Sequence, residues 1–141
     1  MQENKQLVID FFESDFYANE ATFQKFIHPD LELNWNGSTG FSKLNYESFR
    51  QRVLEMGRSY EQLIPKISHV IAEDNKVCIR LLLLAELPEL DEVEQLADFM
   101  AIWEIKNEKL WKGFLLSNPS DETEDNLNSF EEASNLNFNQ N

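Results

Sequence analysis

Apolar residues recur three or four positions apart over the first third of the chain and mostly at every second position later on, so helices give way to strands. Leu7, Val8, Phe11, Phe12 and Phe16 share one helical face, which predicts a helix over residues 3–17. Asn19 is placed to cap a second helix that buries Phe23, Phe26 and Ile27 and ends at His28-Pro29. Leu31, Leu33 and Trp35 then alternate with Glu32, Asn34 and Asn36, the period of a half-buried strand. Residues 36–44 hold two of the four glycines and read as a loop. Asn45 can cap a third helix whose core face is Tyr46, Phe49, Val53 and Met56. Beyond Pro65 the pattern predicts strands at about 64–72, 77–86, 96–105 and 109–117, with tight turns at Asp74-Asn75 and Asn107-Glu108. Leu87 to Glu94 is an acidic, solvated connection containing Pro88.

Two of these strands are apolar on both faces. Ile79, Leu81 and Leu83 oppose Cys78, Leu82 and Leu84, and Phe99, Ala101 and Trp103 oppose Met100 and Ile102. Such a sheet needs cover on both sides, and three helices supply only one. The expectation is a homodimer through the outer face formed by Cys78, Leu82, Leu84, Met100 and Ile102.

Composition narrows the class. At 141 residues with 42% hydrophobic content, the chain supports one core, and we expect a single domain over 1–119 followed by a tail over 120–141. The tail is acidic and rich in Asn and Ser, with too few apolar residues to offset its ordering entropy, so it reads as mobile; a short docking helix through Asn126 to Ala133 is the alternative. The net charge of −14 disfavours nucleic acid and anionic membranes, which are bound chiefly by Lys and Arg. The longest apolar run, Leu81 to Ala85, falls far short of the roughly 20 residues of a membrane span, and a single cysteine suits a reducing compartment. The expected location is cytoplasmic.

The order helix, helix, strand, helix, four antiparallel strands, with Phe26-Ile27-His28-Pro29-Asp30 entering the first strand and Val70 to Val77 forming a hairpin, resembles the nuclear transport factor 2-like superfamily and its SnoaL-like polyketide-cyclase branch. The resemblance covers about residues 3–118 and rests on a junction and a hairpin, not on a catalytic signature. It implies an α+β, cystatin-like fold in which a cone-shaped curved antiparallel sheet wraps three N-terminal helices. It also implies a pocket at the open end, used by some members for catalysis and by others for binding, and frequent dimerisation. The steroid-isomerase branch uses a tyrosine on the first helix, an aspartate base near the end of the first strand and a protonated aspartic acid on the penultimate strand. Those positions fall here at Phe11 or Phe12, Trp35 and Ala101, none of which can move the required proton. The dehydratase and cyclase branches favour His–Asp pairs, for which this chain offers only His28 and His69, with Asp98 out of phase with the inward residues.

Within such a cone the inward set is Phe12, Phe16, Trp35, Phe49, Phe99 and Trp103, with Tyr60, His69 and Arg80 at a polar end. These aromatics either wall a pocket for a small apolar or aromatic molecule or simply fill the core. The leading reading is small-molecule binding without strong catalysis. The second is an acid–base enzyme of isomerase, cyclase or dehydratase type, with His69 as base and Arg80 or Tyr60 stabilising negative charge. The third is a protein-interaction module using the acidic tail. His28 reads as a structural residue at a helix end, and an Arg80 buried in the sheet would need a carboxylate such as Glu104 or Asp98. Asp121 to Glu132 has acids at positions 1, 5 and 12 of a calcium loop, but Thr123 and Asn126 stand at the third position and the turn glycine. No metal or cofactor is expected.

Overall fold

The computed structural model describes residues 2–88 and 92–130. Its elements follow the order α1 (Gln2–Glu13), α2 (Glu20–Phe26), β1 (Ile27–Gly37), β2 (Gly40–Leu44), α3 (Tyr46–Ser59), β3 (Gln62–Glu73), β4 (Lys76–Glu86), β5 (Val93–Lys106) and β6 (Lys109–Pro119). A further helix, α4, occupies 124–130. The strands form one curved sheet in the order β2-β1-β6-β5-β4-β3, with the N-terminal helices against its inner face. All neighbours are antiparallel except β1 and β6, which run parallel. No tight turn joins those two strands, so nothing local imposes the antiparallel direction expected throughout.

Local chemistry sets the helix ends. Asn19 accepts from the amides of Ala21 and Thr22, and Asn45 and Ser48 form a reciprocal capping box at the start of α3. The first helix stops at Glu13, four residues before the end that periodicity predicts. Ser14 turns back on the Phe11 carbonyl with both its amide and its hydroxyl, and competes with helix continuation. Phe16 and Tyr17 therefore enter the core from a turn. Arg50 joins α3 to the first turn of α2 through Glu20, and also pairs with Glu47 in its own helix.

Residues 36–44 are a hairpin, not a loop. Gly37 pairs with Gly40 across a two-residue turn, and Gly40, at φ 110°, holds a backbone region that side chains disfavour. At the β5–β6 turn Asn107 and Glu108 are both left-handed, at φ 54° and 61°, as a tight hairpin requires. Both turns expected from sequence, at Asp74-Asn75 and Asn107-Glu108, join consecutive strands. Of the acidic connection after β4, residues 89–91 lie outside the described residues.

The tail divides. Its first part is helical and seated on the outer sheet face, where Phe130 is 1% exposed and packs with Leu82, Leu84, Leu127 and Ile64. The reading of 120–141 as wholly mobile does not describe this part. Leu127 and Phe130 lie three apart on one helix face, and Thr123 bonds the Asn126 amide at the helix start. Ala133, Leu136 and Phe138 lie outside the described residues.

Candidate functional site

The inner face of the sheet and the helices enclose an aromatic cone. Phe11, Phe12 and Phe16 come from α1 and its turn, Phe49, Val53 and Met56 from α3, Trp35 from β1, and Phe99 and Trp103 from β5. Leu81, Leu83 and Leu115 complete the wall. Phe11 stacks on Phe16 with centroids 4.3 Å apart and meets Phe12, Phe26 and Trp103 edge-on. Trp35 packs against Phe49 and Phe99 and donates from its indole to Ser117 Oγ at 2.8 Å. The Arg52 guanidinium lies 5.2 Å from the Trp35 ring centre, so a cation stands on that wall's solvent side.

These side chains leave little room. The hollow measures about 40 Å³, enough for water-sized occupants and far below the ~300–1,000 Å³ of ordinary ligand pockets. No polar atom lines it. Between filling and pocket, the cone in this state lies close to filling. Trp103 contributes the only buried side-chain polar atom without a hydrogen-bond partner among the described residues, its indole nitrogen.

Six of the eight residues expected to contact a ligand, Phe12, Phe16, Trp35, Phe49, Phe99 and Trp103, converge on this hollow. Sequence reasoning missed Phe11, Val53, Met56, Leu81, Leu83 and Leu115 as wall residues, although all but Leu115 belong to an apolar face it had identified. Tyr60 ends α3 outside the hollow, packed on the core's edge, where burial, with a smaller contribution from Glu94, pushes its phenol pKa up.

His69 and Arg80 are not in the cone. A bulge between Ile67 and His69 inserts Ser68 as an extra residue, and the strand changes phase there. Ile67 and Val70 pack on the core side, whereas His69 is exposed and registers with Arg80 on the outer face. The buried Ser68 hydroxyl lies 2.9 Å from His69 Nδ1 and accepts from Arg80 Nη1 at 2.9 Å. Arg80 thus finds neither Glu104 nor Asp98; its guanidinium lies 3.9 Å from the Phe130 ring centre. Asp98 faces outward too, accepting from Asn126 at 3.2 Å. Buried His28 accepts the Asp30 amide at Nδ1 and packs near Trp111.

The outer face carries the expected apolar strip with two changes. Leu82 and Leu84 are buried by the chain's own α4 and are not free for a partner. In their place, Phe114 and Leu116 of β6 join Met100 and Ile102, these four being 45–58% exposed. Registration places Ile71, Cys78, Ile102 and Phe114 in one row and Met100 beside Leu116 in the next. Burial pushes the Cys78 thiol pKa up, which keeps it protonated and unreactive at neutral pH.

No group of three or more His, Cys, Asp or Glu side chains among the described residues is placed to hold a metal ion, and no helix among them is long and apolar enough to cross a membrane. No protein-family profile matches the sequence, and no curated protein matches it either. Solved structures do match in shape. AclR from Streptomyces galilaeus, a candidate hydroxylase, superposes with a TM-score of 0.70 over 99% of this chain and 98% of its own, at 13% identity. IdmH from Streptomyces antibioticus, a candidate polyketide cyclase, gives 0.67 over 81% and 91%, at 9% identity. A SnoaL-like candidate polyketide cyclase from Jannaschia sp. CCS1 gives 0.63 over 82% and 85%, at 10% identity. With its cone and its strand order set beside these structures, the chain has the nuclear transport factor 2-like α+β fold that they share.

Proposed function

We propose that the protein is a binding member of this fold, not an acid–base catalyst, and that its cone accepts a small apolar or aromatic group. The observation that carries this reading is the lining: twelve side chains surround the hollow and none brings a polar atom to it. Proton transfer needs a titratable group within reach of the substrate, and His69 is on the other side of the sheet. The hollow offers only about 40 Å³, so a ring compound enters only if the wall yields. Met56 is the wall residue suited to yield, being half-buried, unbranched and near the end of α3. The shape likeness to candidate polyketide cyclases makes polyketide-derived ring compounds the class to screen first.

The test is native mass spectrometry with thermal-shift measurement against a panel of ring compounds, for the wild type and for Met56→Ala. Retained ligand mass and a melting temperature raised by several degrees, larger in Met56→Ala, are expected. Absence of both in both proteins would identify the cone as core.

A second reading, self-association through the outer sheet face, is favoured by the exposed strip of Met100, Ile102, Phe114 and Leu116. A sheet face packs well on a copy of itself, and an apolar centre with a charged rim is how such interfaces are built. The rim is present: Glu32, Lys112, Glu104, Lys76 and Glu73 register across five strands with alternating sign. Sedimentation of Phe114→Glu is expected to show loss of a wild-type dimer at equal protein concentration. An unchanged dimer would exclude this face.

A further inference from the structure

The outer face is apolar over a larger area than it exposes, because α4 covers one end of it. Along β4 the outward residues are Cys78, Arg80, Leu82 and Leu84, and only the last two lie beneath α4, 0% and 9% exposed. The boundary falls at Arg80. Its guanidinium faces the Phe130 ring at 3.9 Å, and its register partner on β5 is the exposed Met100. Along β4 only Arg80 separates the covered residues from the uncovered ones, while Lys66 and Asp98 register on either side of Leu82.

The attachment of α4 is small and specific. Phe130 is the apolar anchor, and Asn126 is the polar latch: its Nδ2 donates towards Gln95 Oε1, Asp98 Oδ1 and Ser120 Oγ at 3.3, 3.2 and 2.9 Å. Gln95 in turn donates to the Thr123 carbonyl at 3.2 Å. Phe130, Leu82 and Leu84, with Ile64 and Leu127 packed against them, form an apolar cluster separate from the main core. Releasing α4 therefore uncovers Leu82, Leu84 and Ile64 without opening the cone.

We propose that α4 is a strap that limits self-association, and that the competing occupant of the surface beneath it is a second copy of this chain. The inference rests on the self-association reading above and deepens it. A second copy seated on Met100 and Leu116 reaches the edge of α4, and extension of that contact onto Leu82 and Leu84 requires α4 to leave. The two occupants exclude one another over that part of the strip. The strap thereby sets the area available to the dimer, and anything that draws the C-terminal segment away strengthens it.

The experiment is sedimentation equilibrium of the full chain, with Phe130→Ala, Asn126→Ala, Phe114→Glu and the double variant Phe130→Ala/Phe114→Glu, each first checked for folding by circular dichroism. Phe130→Ala is expected to self-associate at least about tenfold more tightly than wild type, since uncovered leucine area adds to the interface. Asn126→Ala should shift in the same direction by less, and serves as the release variant if Phe130→Ala does not fold. The double variant should lose the gain. Dimerisation of wild type that Phe114→Glu abolishes, with no tightening in either release variant, would overturn the strap and leave the face intact. Weakening on release would overturn it as well, by showing that α4 belongs to the interface. Wild-type and release variants all remaining monomeric would overturn both readings.

Discussion

Phe11→Ala is expected to lower the unfolding free energy by roughly 3–5 kcal/mol and the melting temperature by roughly 10–20 °C. Phe11 is 1% exposed and stands where α1 meets the sheet, stacked on Phe16 and edge-on to Phe12, Phe26 and Trp103. Its removal takes away transfer free energy and contact with four rings at once. Rigid aromatics close a gap poorly, so a large part of the lost volume remains as a cavity. That space adjoins the existing hollow, whose wall already includes Phe11. The enlarged hollow should approach the ~150 Å³ of dry apolar cavities that take up benzene. Benzene should therefore restore part of the lost melting temperature in Phe11→Ala, by more than it raises that of wild type. A loss under about 1 kcal/mol in chemical denaturation would show that the neighbouring rings collapse into the space. Recovery by benzene would report an enclosed dry space, which is distinct from the ligand screen that tests function.

Gly113→Ala is the second large effect, and it runs in the opposite direction, towards overpacking. A Cβ at 113 would stand 2.5 and 2.9 Å from the Cζ3 and Cε3 atoms of Trp103 and 2.7 Å from Leu33 Cδ1. The leucine methyl can rotate aside. The Trp103 ring cannot: its residue is 1% exposed and packs edge-on to Phe11. Gly113 registers with both Leu33 and Trp103, so the bare backbone of β6 is the floor on which the indole lies. A cost of about 3 kcal/mol, the upper end of ordinary overpacking, is expected in equilibrium urea unfolding. Because two of the three clashes are with one ring, Trp103→Leu should be less costly in the Gly113→Ala background than in wild type, by at least about 1 kcal/mol. Additive losses would show instead that the strain passes into the backbone of β6.

Both effects converge on Trp103, which sequence periodicity placed correctly on the inner face with Phe99 and Ala101. The same reasoning failed eight residues before β4 begins. His69 lies two residues from Ile67 and from Ile71 in sequence, and strict alternation puts all three on one side. One extra residue at Ser68 reverses the phase, so His69 leaves the cone with Ile71 while Val70 takes the inward place. The enzymatic reading depended on that phase; Arg80 is a separate case, since alternation along β4 already sets it on the outer face with Cys78 and Leu82. Nothing at Ser68 in the sequence announces a bulge, since it contains neither glycine nor proline.

Local pattern along the chain is enough to tell which residues are apolar on which local face: the helical faces of Phe11, Phe23, Phe49 and Val53, the two-faced strands β4 and β5, and the turns at Asp74-Asn75 and Asn107-Glu108. Those are short-range properties, fixed by side-chain period and turn chemistry within a few residues. Long-range packing settles how much space the converging aromatics leave, which strand face lies under α4, and where Arg80 finds its partners. Each of these depends on residues far apart in the chain, such as Phe11 with Trp103, Leu82 with Phe130 and Leu33 with Gly113. Cavity volume is a small difference between large packed volumes, and no count of apolar positions along the chain contains it.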